Sequence, residues 1–303
     1  MRIVVLGAGA VGLTVAAKLS RVADVHAVAR KRHADAVRER GLLMTGIWGE
    51  GAYRFSCSED LPDAWQDADY YIIAAKSTDT GAICRQFADA IRGREVMSLQ
   101  NGIGNEEIIG EFTDRVIGAM IITGFEWRGD ASVHVSVEAA PMRLGRYPSG
   151  VDDAVETLAA LLREAGIRAE ATAEIRTDIW SKTLYNCALN PLGAIANVPY
   201  GALTDPHAWA IVTAIVGETF RVAEAEGVLL PWETPEEYLA YLRSTQLPAT
   251  AAHHSSMLQD LTRGRKTEID FMNGAVAALA GKHGLEAPHN ACIAELIRFR
   301  ERL

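Results

Sequence analysis

The chain has 303 residues, a net charge of −9 and 49% hydrophobic residues, so it is long enough to bury one large core or two moderate ones, and two domains are the expectation. The acidic balance argues against nonspecific nucleic-acid binding, and no apolar run approaches the roughly 18 residues of a membrane span. Four cysteines (Cys57, Cys84, Cys187 and Cys292) lack CxxC or metal-type spacing, which predicts reduced thiols, no metal site and a cytoplasmic protein.

A glycine-rich turn follows the first predicted strand. The segment Arg2–Lys18 reads RIVVLGAGAVGLTVAAK, a buried strand, a turn and an alanine-rich helix. Gly7 suits a tight turn, Gly9 lets the backbone approach phosphates, and Gly12 lets the helix pack closely on the sheet. The amino terminus of the helix stabilises the negative charge of a pyrophosphate. The alternative is an ordinary glycine turn in some other α/β protein. The predicted dinucleotide contacts are Gly7, Ala8, Gly9, Ala10, Val11 and Gly12.

Basic residues follow the second predicted strand. An acidic residue there contacts the ribose 2′-hydroxyl in NAD-preferring sites, whereas a cation accommodates the 2′-phosphate of NADP. This chain has Arg30, Lys31 and Arg32, and no carboxylate between Asp24 and Asp35. We therefore expect NADP(H), with Arg30 on the phosphate and Lys31 or Arg32 assisting. The alternative is an ordinary charged surface loop.

The rest of the first half alternates strand and helix patterns. Strands are predicted at 69–75, 95–99 and 115–123, a helix at 78–91, and antiparallel strands near 132–137 and 142–144. From Asp152 onward the pattern is helical, apart from a short strand at 167–171. The sequence therefore predicts an α/β, Rossmann-type dinucleotide-binding domain over residues 1–172 and a helical domain over residues 173–303.

Two polar residues directly follow predicted strands, where open α/β sheets bind ligands. Lys76 follows the strand at 69–75, and Asn101 follows the strand at 95–99. We expect both to face the cofactor. The alternatives are an exposed lysine and an ordinary Asn-Gly turn.

A polar stripe lies on a predicted helix at 179–197. Lys182, Asn186 and Asn190 have i, i+4, i+8 spacing and share one helix face. Asparagine is a poor helix former in interior positions, so this pattern indicates side chains in use rather than a solvated face. Pro191 is expected to end or kink the helix.

A second polar cluster lies further along the chain. Ser255 and Ser256 offer neutral hydroxyl donors of the kind that bind a carboxylate. Glu268 is expected to begin a helix, where the helix dipole favours a carboxylate whether or not it has a catalytic role. His253 and His254 are weaker candidates for an acid or base, because their spacing indicates no partner.

Taken in order, these motifs resemble the ketopantoate reductase (2-dehydropantoate 2-reductase) family. The similar segments are GAGAVG from Gly7, AAK at Lys76, QNGIGN around Asn101, KTLYNCALNPLGAI from Lys182 and HSSMLQDLTRGRKTEIDFMNG around Glu268. They cover essentially the whole chain, and the last two are highly specific. The resemblance implies a Rossmann-type domain, an all-helical carboxyl-terminal domain, and NADPH-dependent reduction of the 2-keto acid 2-dehydropantoate to (R)-pantoate for pantothenate and coenzyme A synthesis.

The resemblance also implies roles for the candidate residues. Lys182 is expected to donate the proton, and Glu268 to contact the nicotinamide-side ribose and orient the site. The other implied contacts are Asn186 and Asn190 at the hydroxyl and carboxylate end of the substrate, Ser256 at its carboxylate, and Asn101 and Lys76 on cofactor and substrate.

Two departures from the family pattern bear on the substrate. Tyr200 and His253 stand where well-known members often have asparagine, at positions near the substrate in that family. The alternatives are therefore 2-dehydropantoate, another 2-keto acid, or a dinucleotide-binding protein without catalysis. Aliphatic residues at 211–220 and 275–279 fit either a helical core or a homodimer interface.

Overall fold

The computed structural model describes all 303 residues, which form two compact units. The first unit contains Met1–Gln100 and Asn105–Arg176, and the second contains Asn101–Gly104 and Thr177–Leu303. Every strand belongs to the first unit, and the second is helical. The predicted fold class, a Rossmann-type α/β domain followed by an all-helical domain, is confirmed. None of the helices has both the length and the apolarity to cross a bilayer.

The first unit is built on one 10-stranded mixed sheet. Its strands are β1 (Arg2–Leu6), β2 (Asp24–Val28), β3 (Leu42–Gly46), β4 (Gly51–Tyr53), β5 (Ser56–Ser58), β6 (Tyr70–Ile73), β7 (Glu95–Ser98), β8 (Val116–Gly129), β9 (Ser132–Arg146) and β10 (Ala169–Ala171). Their order is β4-β3-β9-β8-β7-β6-β1-β2-β5, and β10 pairs with β9. The run from β2 through β1, β6 and β7 to β8 is parallel, which is the arrangement that places ligand sites at strand carboxyl ends.

Side-chain alternation along β1 divides the core of this unit. Ile3 and Val5 belong to one hydrophobic cluster, and Val4 and Leu6 belong to another. Successive side chains of a strand point to opposite faces, so the sheet is covered on both sides. This explains why the central strands read as continuous apolar runs rather than as alternating ones.

The antiparallel closure of the sheet is confirmed, although its strands are longer than predicted. One strand, β9, replaces the two segments predicted at 132–137 and 142–144, and β8 extends to Gly129. Register shifts interrupt the β8–β9 pairing, and such irregularities break the alternation on which strand prediction depends. The short strands β3, β4 and β5 have no predicted counterpart, since three to five residues carry little periodic signal.

Helices cover the sheet of the first unit and form the second. They are α1 (Ala10–Leu19), α2 (Lys31–Arg40), α3 (Thr80–Gln86), α4 (Ala88–Ile91), α5 (Asn105–Gly110), α6 (Asp153–Glu164), α7 (Ile175–Ala196), α8 (Pro206–Ala225), α9 (Pro235–Tyr241), α10 (Leu247–Thr250), α11 (Ser256–Thr262), α12 (Asn273–Lys282) and α13 (Pro288–Arg300). In the second unit, Leu184, Ala188 and Leu189 of α7 pack into a core with residues of α8 and α9.

One expectation about helix boundaries is corrected, and another is narrowed. Of the two outcomes expected at Pro191, an end of the helix is excluded, because α7 continues to Ala196. The Cys187 carbonyl, which lacks its helical donor because proline has no N–H, instead accepts from Asn273 Nδ2 at 3.2 Å. Glu268 does not begin a regular helix: it precedes a 3₁₀ turn at Ile269–Phe271, and α12 starts only at Asn273.

Candidate functional site

The three glycines of the turn after β1 have different steric roles. Gly7 has a φ of +65°, and a Cβ there would lie 2.4 Å from the Cβ of Ala75. A Cβ on Gly12 would lie 2.9 Å from the Cβ of Ala74. A Cβ on Gly9 would meet no atom within 4 Å. The fold itself therefore requires glycine at positions 7 and 12, whereas Gly9 leaves open space beside the backbone.

That open space adjoins the amino terminus of α1. Gly9 is the N-cap residue, and no side chain caps the helix. The first intrahelical bond runs from the Leu13 N–H to the Gly9 carbonyl at 2.9 Å, so the N–H groups of Ala10, Val11 and Gly12 precede the helical ladder. An uncapped helix terminus beside an unfilled space is the geometry that receives a phosphate. The turn therefore fits a dinucleotide pyrophosphate.

The three basic residues after β2 differ in their partners. Lys31 Nζ lies 2.9 Å from Asp35 Oδ2, and Arg32 Nε lies 3.7 Å from Asp130 Oδ1. Arg30 is the exposed N-cap residue of α2 and forms no ion pair. Because no carboxylate compensates its charge, Arg30 is the best suited of the three cations to bind the 2′-phosphate that distinguishes NADP from NAD.

A buried network fixes the loop that carries Lys76. Lys76 is half-buried and precedes a 3₁₀ turn. Gln100 Nε2 donates to the Ala75 carbonyl at 3.1 Å and to Thr80 Oγ1 at 2.8 Å, and Thr80 Oγ1 donates to Asn105 Oδ1 at 2.8 Å. The sequence prediction missed this network. In the sequence, this network is indicated only by the polar residues that follow β6 and β7.

Three predicted site residues that are far apart in sequence meet in the second unit. Lys182 Nζ donates to Asn101 Oδ1 at 2.7 Å, and Asn101 Nδ2 donates to Glu268 Oε2 at 3.4 Å. The Asn101 amide thus bridges an ammonium and a carboxylate. Glu268 is buried, and Lys182 is half-buried.

The environment of Lys182 suits it to proton transfer. Burial lowers the pKa of Lys182 to about 8, and the Glu268 carboxylate opposes the shift. An ordinary lysine has a pKa of about 10.4. A general acid is most effective when its pKa lies near the working pH, because it then both gives and regains a proton readily.

The position of Asn101 depends on the glycine that follows it. Gly102 has a φ of +85°, and a Cβ there would lie 2.2 Å from the Phe271 carbonyl oxygen. The N–H of Ile103 donates to the same carbonyl at 2.9 Å. Only glycine permits this close approach, which seats the segment Asn101–Gly104 beside the turn that follows Glu268.

The polar stripe lies on α7 as expected. Asn186 and Asn190 are buried, and both lie on the helix face that carries Lys182. The hydroxyl of Tyr200 donates to Asn190 Oδ1. A residue that departs from the family pattern therefore contacts one of the predicted substrate-binding asparagines.

The two predicted serines have different surroundings. Ser255 is fully buried, and its hydroxyl accepts from the Leu258 N–H at 3.0 Å as the N-cap of α11. Ser256 is the first residue of α11 and is exposed. Ser256 is therefore the serine that a ligand can reach, and Ser255 supports the helix that carries it.

Comparison with known proteins matches both parts of the chain to one family. Residues 3–149 match Ketopantoate reductase PanE/ApbA, and residues 174–301 match Ketopantoate reductase PanE/ApbA C terminal. A 2-dehydropantoate 2-reductase of Pyrococcus horikoshii is 34% identical, and the alignment covers 100% of this chain and 98% of that protein.

Solved structures resemble the chain over its full length. A PanE/ApbA family ketopantoate reductase from Ralstonia eutropha JMP134 is 30% identical with a TM-score of 0.88, covering 100% of this chain and 99% of that one. D-mandelate dehydrogenase, solved with NADH and anilino(oxo)acetate, is 27% identical with a TM-score of 0.88 and the same coverage.

Proposed function

Because this chain belongs to the ketopantoate reductase family, we propose that it uses NADPH to reduce 2-dehydropantoate to (R)-pantoate. The observation that carries the proposal is the hydrogen-bonded series Lys182–Asn101–Glu268, which holds an ammonium of lowered pKa in a defined position. A protein that only binds a dinucleotide has no use for such a proton donor.

Most of the proposed cofactor contacts lie in residues 1–172, and residues 173–303 supply most of the catalytic side chains. When bound, NADPH supplies the hydride that reduces the keto carbon and is itself oxidised to NADP⁺. The turn Gly7–Gly12 would hold the pyrophosphate, and Arg30 the 2′-phosphate. Lys76, Asn101 and Glu268 would complete the cofactor contacts.

Lys182 supplies the proton that the reduction requires in addition to the hydride. As the keto carbon accepts the hydride, negative charge develops on its oxygen; the Lys182 ammonium stabilises that charge and transfers a proton to it. The oxygen becomes a hydroxyl, and the neutral amine regains its proton from solvent. Asn101 holds Nζ in place through its 2.7 Å hydrogen bond, while the Glu268 carboxylate favours the ammonium form by raising its pKa.

Neutral side chains bind the anionic substrate in this proposal. Asn186, Asn190 and Ser256 offer amide and hydroxyl donors to its carboxylate and side chain. Neutral donors stabilise a carboxylate without burying a further unpaired charge. The substrate is a small molecule, and we propose a cytoplasmic enzyme that acts as a homodimer.

Reduction of a different 2-keto acid is the second candidate. It is favoured by the hydrogen bond from Tyr200 to Asn190, because this contact changes the chemistry that one substrate-binding side chain offers. D-mandelate dehydrogenase, which is similar over the full length, was solved with anilino(oxo)acetate, a 2-oxo acid derivative bearing an aromatic ring.

Turnover measurements test the proposal. The loss of NADPH absorbance is followed with 2-dehydropantoate and with a panel of branched and aromatic 2-keto acids, and NADH replaces NADPH as the cofactor comparison. Lys182→Ala serves as the variant: we expect turnover to fall by about 10²- to 10⁴-fold while NADPH affinity is retained. Absence of turnover with every 2-keto acid and either cofactor contradicts the proposal.

A further inference from the structure

Glu301 binds the residue that directly precedes Glu268. One oxygen of its carboxylate, Oε1, accepts from the Thr267 N–H at 2.8 Å and from the Thr267 hydroxyl at 2.7 Å. Glu301 forms no ion pair. Hydrogen bonds to an ionised acceptor are roughly twice as strong as those between neutral groups. The polar contacts of this carboxylate are therefore made with Thr267.

The Thr267 hydroxyl continues this contact past Glu268. Thr267 Oγ1 donates to Glu301 and accepts from the Ile269 N–H at 3.2 Å. The residues on both sides of Glu268 thus belong to one hydrogen-bonded group. Thr267 is 2% exposed, so water does not readily replace a partner that is lost. The main chain at Glu268 is held from both sides.

Helix α13 gives Glu301 a rigid support. Glu301 directly follows this helix, and its N–H donates to the Ile297 carbonyl at 2.9 Å. The helix is anchored by the buried residues Ile293, Ala294 and Ile297. A group held by a packed helix is placed more accurately than one held by a loop. The position of Thr267 is therefore tied to α13.

Glu268 requires accurate placement because its hydrogen bond with Asn101 is long. Asn101 Nδ2 lies 3.4 Å from Glu268 Oε2, whereas N–H···O bonds usually end at about 3.2 Å. A small movement of Glu268 away from Asn101 would break this bond. The Asn101 amide, which accepts from Lys182 Nζ at 2.7 Å, would then lose the partner that fixes its orientation.

We propose that Glu301 is a positioning residue for the reduction: through Thr267 it holds Glu268 against Asn101, which in turn holds the Lys182 ammonium. This inference rests on the proposed reduction of 2-keto acids. Glu301 acts only through other residues and touches no reacting atom. If Glu301 instead served stability alone, its loss would make the protein easier to unfold and would leave the folded site unchanged.

The protonation of Lys182 reports the position of Glu268 without turnover. The chain has six lysines, so NMR titration of the lysine side chains can follow each one, and Lys182→Arg identifies the signal of Lys182. Because the Glu268 carboxylate raises the pKa of Lys182, Glu301→Ala should lower this pKa by about 0.5 or more. A pKa within about 0.2 of the wild-type value in the folded variant overturns the proposal.

Turnover should change in the same direction. We expect Glu301→Ala to lower kcat about tenfold at neutral pH and to move the alkaline decline of kcat/KM to lower pH. Glu301→Gln keeps an oxygen acceptor for both Thr267 donors, so its kcat should stay within about threefold of the wild-type value. A loss in Glu301→Gln as large as that in Glu301→Ala contradicts the proposal.

Glu295→Ala is the matched control on the same helix. It removes an exposed carboxylate that pairs with Arg298 and has no contact with Thr267. We expect the Lys182 pKa and the pH profile of Glu295→Ala to equal those of the wild type. If Glu295→Ala lowers the pKa of Lys182 as much as Glu301→Ala does, the effect is not specific to Glu301 and the proposal is wrong.

A second pair of variants keeps the inference testable should Glu301→Ala fail to fold. Thr267→Val retains the shape of the side chain but removes the hydroxyl that joins Glu301 to Ile269, whereas Thr267→Ser retains the hydroxyl. Only Thr267→Val should lower the pKa of Lys182. Equal Lys182 pKa values in the two variants overturn the proposal. Absence of turnover of any 2-keto acid by the wild type overturns the proposed function instead, and the NMR titration still decides whether Glu301 positions Glu268.

Discussion

The side-chain amide of Asn273 donates to the main-chain carbonyl of Cys187 at 3.2 Å, four residues before Pro191. In an uninterrupted helix the N–H of residue 191 would serve that carbonyl, and proline has none. Asn273 Nδ2 also donates to Asn290 Oδ1 at 2.9 Å. One amide group therefore completes the helix that carries Lys182, Asn186 and Asn190 and links it to α13.

Removing the Asn273 side-chain amide should lower the stability of the protein, because the Cys187 carbonyl then loses its hydrogen-bond donor. Asn273→Ala leaves the buried Cys187 carbonyl and the Asn290 side chain without this donor, and we expect a loss of roughly 2–3 kcal/mol in the free energy of unfolding. Denaturant titration measures it. In a Pro191→Ala background the carbonyl regains a helical N–H, so the same substitution should cost about 1 kcal/mol less. An equal cost in both backgrounds contradicts the role assigned to Asn273.

The reduction should depend on pH through Lys182. The ammonium form donates the proton, and with the pKa lowered to about 8 this form is lost as pH rises through that value. We expect kcat/KM for reduction to be highest below pH 8 and to fall about tenfold per pH unit well above it. The measurement is the pH profile with saturating NADPH.

Glu268 should set where that decline begins. Because its carboxylate raises the pKa of Lys182, Glu268→Gln should move the alkaline decline to lower pH. The control substitution is Glu237→Gln, at an exposed residue of α9. If Glu268→Gln lowers kcat/KM by the same factor at every pH and does not move the alkaline decline, the electrostatic coupling between Glu268 and Lys182 is contradicted.

Gly102 should tolerate no side chain. Gly102→Ala would place a Cβ 2.2 Å from the Phe271 carbonyl oxygen at a φ of +85°, so the segment must move and carry Asn101 away from Lys182. We expect at least a tenfold loss of kcat. Gly104→Ala is the control, since it has a comparable φ of +100° but its nearest contact would be 4.0 Å away. Equal losses in the two variants would assign the effect to backbone strain alone.

Arg30 should distinguish the two nicotinamide cofactors. Arg30→Ala removes a cation that no carboxylate compensates, and we expect NADPH binding to weaken by roughly 10-fold or more while NADH binding changes little. Fluorescence titration measures both affinities without turnover. Lys31→Ala is the control, because Lys31 already pairs with Asp35. Equal weakening of NADPH and NADH binding would show that Arg30 does not contact the 2′-phosphate.

Glu106 should make stability depend on pH. Burial raises the pKa of Glu106 to about 7 from an ordinary value of 4.5. A carboxyl group with a raised pKa favours the folded state at low pH, and this contribution is lost as pH rises from about 4.5 through 7. Glu106→Gln should therefore increase the free energy of unfolding at pH 8 by as much as about 3 kcal/mol and leave it nearly unchanged at pH 4. The exposed Glu111→Gln is the control, and an equal gain at both pH values would exclude titration as the cause.

The features that the sequence determined by itself are local. The apolar runs of β1, β6 and β7 indicate buried parallel strands, the glycine spacing at 7, 9 and 12 meets steric requirements within one turn, and the i, i+4 spacing from Lys182 defines one helix face. Each depends on residues within a few positions of one another, whose periodicity is fixed by backbone geometry.

The features that only the tertiary structure decided join residues far apart in the chain. Asn273 completes the helix past Pro191, Asn101 bridges Lys182 and Glu268, and Tyr200 engages Asn190. No local period records which distant side chain supplies a missing donor or occupies an acceptor. The sequence could identify candidate polar residues for the chemistry, but their hydrogen-bond partners, and hence which atoms remain for a ligand, are set by packing between segments that are separated in sequence.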